Sequence, residues 1–131
     1  MATTLAQHYT DELTDWDEFI TFYNEEMGVL NQKLVDVIRR NCIIGIAEQV
    51  EAKQILLNSL SDKFDKLHEE IQQQEAELKT DNTYIEDSLI NYETEKMQTE
   101  LRMEMQAAEK EYIDVKFDCY NFLSKTLKNK D

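Results

Sequence analysis

Proline is absent from this 131-residue chain, and glycine occurs twice, as Gly28 and Gly45. Nothing therefore breaks a helix interior outright, and the glycine-rich loop that cradles phosphate groups is excluded. Cysteine is as scarce: Cys42 and Cys119 cannot make a disulfide framework in a chain of this size. His8 and His68, the two histidines, fall short of the paired Glu-x-x-His ligands that a carboxylate-bridged metal centre requires, so no metal and no cofactor is expected. The longest apolar run, Cys42-Ile43-Ile44-Gly45-Ile46-Ala47, is far too short to span a bilayer. The first residues show neither a basic region nor a long apolar stretch of the kind that directs export, so a cytoplasmic protein is expected. Basic side chains are few, with 14 Lys and Arg against 28 Asp and Glu and a formal net charge of −14. A field of that sign repels phosphate backbones and anionic head groups, which argues against nucleic acid and membrane as partners.

What the chain does have is apolar residues at spacings of three and four. The first run is Leu5, Tyr9, Leu13, Trp16, Ile20, Tyr23, Met27, Leu30, Leu34 and Val37. Such spacing keeps one seam of a helix facing a neighbour, and Phe19, Phe22 and Ile38 are expected to widen that buried stripe. Arg39 and Arg40 stand where the helix dipole favours cations. Gly28, inside this helix, marks either a close approach or a tolerated defect. A break is predicted at residues 41–45, where Asn41 and Gly45 suit a helix end. The rival reading keeps 41–45 helical and pairs one very long helix with another chain.

The second run is Ile46, Val50, Leu57, Leu60, Phe64, Leu67, Ile71, Gln74 and Leu78. Gln54 occupies a seam position, with Ile55 and Leu56 alongside to take over its contact. Thr80-Asp81-Asn82-Thr83 is the clearest turn signal, and Thr83 with Glu86 has the spacing of a capping box for a third helix. Ile85, Leu89 and Tyr92 would open its seam, and Leu101, Met105, Ala108, Tyr112, Val115, Cys119 and Phe122 carry it on, with a slip in phase at Lys96 and Thr99.

No constellation for nucleophilic catalysis exists, since the serines fall in helical stretches and Glu25-Glu26 and Glu69-Glu70 read as solvated faces. His68 is expected to flank the core near Trp16. With turns near 42 and 82, residue 119 comes level with about residue 44. Cys42 and Cys119 would then share one end of the bundle, as a redox pair or half of a thiolate site, or as small apolar fillers. Met97, Met103 and Met105 around Leu101 could form an adaptable docking face or a core layer with Met27.

The opening pattern of His8-Tyr9, Glu12-Leu13, Trp16, Phe22-Tyr23, Glu25-Glu26 and Leu30 with Leu34 resembles that of small all-helical bacterial proteins with no assigned role. The resemblance lies mainly in the first helix. It implies a stand-alone cytoplasmic bundle and brings no catalytic residues with it.

The reading is an all-α, antiparallel three-helix up-down-up bundle with coiled-coil-like packing, one domain over 1–131, with helices at about 5–40, 46–80 and 83–127. The expected function is non-catalytic, a protein-interaction or structural module that binds a protein partner or a second copy of itself as a homodimer. Met97, Leu101, Met103, Phe117 and Tyr120 form the candidate interaction surface. One alternative is a small enzyme or a ligand or metal carrier with a site between helices, which a cavity lined by polar side chains would favour. Another is an acidic nucleic-acid mimic that binds a basic partner.

Overall fold

In the computed structural model, which describes residues 4–40 and 43–128, the three apolar runs become three packed helices. They are α1 (Leu5–Arg40), α2 (Ile46–Glu77) and α3 (Tyr92–Lys128). The seam residues Leu13, Ile20, Leu30 and Leu34 of α1, Leu60, Phe64 and Ile71 of α2, and Leu101, Met105 and Cys119 of α3 are almost wholly buried. Each large side chain so buried contributes about 1.5–3 kcal/mol relative to an exposed one. All three helix pairs pack against one another, which makes an all-α three-helix bundle.

Side-chain pairs give the directions and the register. Asp17 meets His68, and Gln54 Nε2 donates to Asn31 Oδ1 at 2.9 Å, so α1 and α2 run antiparallel. Gln74 with Gln98 and Lys53 with Asp118 make α2 and α3 antiparallel as well. Glu12 with Arg102 and Glu26 with Lys116 are each 90 positions apart, so α1 and α3 are parallel. That offset sets Met105 level with Asp15. The expected layer of Met27 with Met105 does not form, although both are buried, because they stand on the order of 18 Å apart along the axis.

The chain reverses before α2. Gly45 takes φ +83°, and the Ile46 and Gln49 amides donate to Ile43 and Gly45 carbonyls at 3.2 Å. The continuous-helix reading is thereby overturned, while Asn41 and Cys42 lie outside the described residues. Gly28 faces open space and marks no close approach.

The largest departure from expectation lies between α2 and α3. α2 stops at Glu77, and a hairpin of β1 (Lys79–Thr80) and β2 (Thr83–Tyr84) follows, with Lys79 opposite Tyr84 and Thr80 opposite Thr83. Asp81 and Asn82 hold φ of 52° and 63°, the left-handed pair of a two-residue hairpin turn. A 3-10 turn at Asp87–Leu89 precedes α3. Thr83 therefore caps nothing. Asn91 takes that role, its Oδ1 accepting from the Thr94 amide at 2.8 Å. The Asp87 carboxylate accepts from the Leu5 amide at 2.9 Å, tying the connection to the start of α1.

Other seam expectations are corrected too. Leu89 and Tyr92 are exposed rather than opening the seam. The slip at Lys96 and Thr99 is a seam that runs through polar residues, with Thr94 and Gln98 buried instead. Ile55 and Leu56 point outward, and Gln54 meets its neighbour through the bond to Asn31. Among the described residues no helix is long and apolar enough to cross a membrane.

Gly45→Ala should cost about 1–2 kcal/mol, because a Cβ is strained in the left-handed region even where space is open. A denaturant midpoint unchanged from the parent chain would contradict this turn geometry.

Candidate functional site

An outer groove runs between the two parallel helices, α1 and α3, above the side chains that join them. On α1 the wall is Phe22, Tyr23 and Glu26; on α3 it is Tyr112, Ile113, Lys116, Phe117, Tyr120 and Asn121. The space between is about 410 Å³. Phe22, Ile113 and Phe117 are 54%, 56% and 68% exposed, values that leave most of each ring or chain in solvent. Tyr120 is partly screened by Lys33, whose ammonium lies 5.4 Å from the ring centre.

The groove is rooted in the core through aromatic contacts. Tyr23 lies 4.4 Å from Tyr112, 5.5 Å from Phe64 and 5.9 Å from Phe22, centre to centre. Such pairs contribute about 0.5–1.5 kcal/mol beyond area burial and tie the groove floor to the core. Tyr23 also donates to Glu109 Oε2 at 2.7 Å. Burial first, then this carboxylate, pushes its phenol up to about 12. The Tyr112 hydroxyl is buried with no partner among the described residues. Lys116 is held by Glu26 at 2.9 Å.

A second recess, of about 340 Å³, opens between α2 and α3 and is lined by Glu70, Gln73, Gln74, Glu77, Asn91, Glu93, Thr94 and Met97. Its inner wall is already bonded. Gln74 Nε2 donates to the Thr94 carbonyl at 2.9 Å and to Gln98 Oε1 at 3.1 Å. Gln98 Nε2 donates in turn to the Tyr9 carbonyl and Glu12 Oε1, both at 3.2 Å. Arg102 grips both Glu12 oxygens, at 2.9 and 2.6 Å. Burial raises the Glu12 carboxyl, but the bonds from Arg102 and Gln98 outweigh it and leave the group below its ordinary value. Near this recess, burial and then the neighbouring Glu70 push Glu104 up.

The residues expected to form one surface separate. Phe117 and Tyr120 do line the outer groove. Leu101 is 1% exposed and belongs to the core, because it takes the seam position three after Gln98, so it offers nothing to a partner. Met97 is half-buried in the polar recess, and Met103 is exposed about 21 Å along the helix from Phe117. Missed from the sequence was Phe22, with Phe19, both expected to widen the buried stripe and both half exposed. Phe22 and Val29 stand one heptad apart outside the seam, and that spacing was the available signal.

Cys119 is a buried free thiol next to Asp118, which pairs with Lys53, so it sits level with about residue 53 rather than 44. The shift arises because the hairpin and 3-10 turn occupy residues given to α3. Burial, then Asp118, pushes the thiol up, away from reactivity, and Cys42 lies outside the described residues. His68 is paired with Asp17, the residue that follows Trp16 in the sequence. Among the described residues no three His, Cys, Asp or Glu side chains gather as a ligand set. Comparison with known protein families, with curated proteins and with solved structures found no match to this chain.

Glu104→Gln should raise stability at neutral pH by up to about 0.5 kcal/mol after solvent screening, by removing a carboxylate that burial and Glu70 disfavour. A carboxyl raised in the folded state favours folding below its unfolded pKa and loses that contribution as pH rises through the folded value. The gain from Glu104→Gln should therefore vanish in acid. Melting curves that show a loss at neutral pH would contradict the pairing.

Proposed function

We propose that this chain is a non-catalytic protein-interaction module whose outer α1–α3 face docks a protein partner or a second copy of the chain. The observation that carries the reading is the row of Phe22, Ile113, Phe117 and Tyr120 along a groove of about 410 Å³. Contiguous exposed apolar side chains of this kind mark interaction sites more often than chance surface. The aromatic stack beneath supports it, since a preorganised face loses little freedom on binding. A cytoplasmic setting belongs to the same proposal and agrees with the buried free thiol of Cys119.

The polar recess supports a second reading, a carrier of a small polar ligand between α2 and α3. It is the weaker because Gln74, Gln98 and Thr94 are already bonded to each other. The acidic-mimic reading has less behind it, since Glu12, Glu26, Glu111 and Asp118 are each ion-paired within the chain.

If the face is there to dock, its side chains are not what holds the bundle. Phe22→Ser combined with Phe117→Ser should change stability by no more than about 1 kcal/mol and abolish binding of the hydrophobic dye ANS. A loss beyond about 3 kcal/mol, or undiminished dye binding, would show that these side chains serve the fold instead.

A further inference from the structure

We infer that the occupant of the α1–α3 groove is a cationic amphipathic helix, an inference that rests on the docking role proposed for this face. The groove lies between two parallel helices, so it is elongated and admits a third rod along their axes. Ile113, Phe117 and Tyr120 follow one another at steps of four and three, the repeat at which a docked helix presents its own apolar anchors.

Charge selects among the helices that would fit. Glu18 and Glu25 are exposed one turn before and one turn after Phe22 on α1, and Asp114 is exposed three positions before Phe117 on α3. Of the nearby cations, Lys116 is held by Glu26, and the remaining basic groups are Lys33, over the Tyr120 ring, and Lys110, exposed two turns before Phe117. Glu18, Glu25 and Asp114 thus outnumber Lys33 and Lys110, and the chain behind them carries a net charge of −14. A second copy would bring Glu18, Glu25 and Asp114 against an equally acidic body. A helix with lysines or arginines flanking an apolar ridge is attracted at long range and matched on contact.

The test uses the full chain and three synthetic peptides of about 18 residues, roughly 27 Å as helices. One is a Leu/Lys helix with leucines at steps of three and four; the others are its Leu/Glu counterpart and a scrambled Leu/Lys sequence. Fluorescence anisotropy should show binding of the patterned Leu/Lys peptide, weakened about tenfold or more by Phe117→Ser. Neutralising the rim (Glu18→Gln, Glu25→Gln and Asp114→Asn together) should weaken it about threefold or more, and added salt should do the same.

Equal binding of the scrambled peptide, or indifference to Phe117→Ser, would mean diffuse attraction to an acidic protein and would overturn the inference. Phe117-dependent binding of the Leu/Glu peptide as tight as that of Leu/Lys would overturn the cationic partner and leave the docking face standing. A chain that binds neither peptide but forms a dimer dispersed by Phe117→Ser would replace the helix by a second copy, again with the docking face intact. No binding by a monomer that Phe117→Ser unfolds would remove both.

Discussion

Two buried amides that need each other hold the three helices in one register. Gln74 of α2 and Gln98 of α3 are bonded at 3.1 Å, and Gln98 reaches on to Tyr9 and Glu12 of α1, where Arg102 closes the chain of bonds. The apolar seams alone would accept a slide of seven residues with little penalty, since leucine meets leucine again one heptad along. Such a slide would bring Asn91 or Met105 opposite Gln74 and strand buried polar groups, at about 1–3 kcal/mol for each. Burial supplies the stability, and this polar layer favours one alignment together with the pairs of Asn31 with Gln54, Lys53 with Asp118 and Glu26 with Lys116.

The surface follows from that alignment. With α1 and α3 parallel and offset by 90 positions, Glu26 pairs with Lys116, Tyr23 stacks on Tyr112, and Phe22 faces the same groove as Ile113 and Phe117. Among the described residues no helix covers the apolar excess of α3 beyond Tyr112, because α2 occupies its other side through Lys53 with Asp118 and Lys63 with Glu111. What is left exposed on the outer face is the material of the proposed interaction site.

Much of this architecture was legible in the spacing of Leu13, Ile20, Leu34, Leu60, Phe64 and Ile71, since a buried stripe must repeat with the helix. The limits of α1 and the start of α2 could be read from Arg40 and Gly45. The start of α3 could not. Thr83 and Glu86 have capping-box spacing, but Asp81-Asn82 can also close a two-residue hairpin, and the hairpin wins by pairing Lys79 with Tyr84 and binding Asp87 to α1. Gln98 was hidden for another reason. A polar residue in a seam looks like a break in phase until its partner, Gln74, is found 24 positions away. The groove was half legible: Phe117 and Tyr120 stood outside the α3 seam, whereas Phe22, beside seam residue Tyr23, read as part of a wide buried stripe.

The measurement closest to the heart of this account is a double-mutant cycle on Gln74 and Gln98, each changed to Leu, with unfolding free energies of all four proteins. If the amides are bonded across α2 and α3, each single change should cost about 1–3 kcal/mol by orphaning its partner. The double change should then cost less than the sum, by about 0.5–3 kcal/mol. Costs that add to within about 0.3 kcal/mol would mean the two side chains do not meet, and the α2–α3 alignment described above would fall with them.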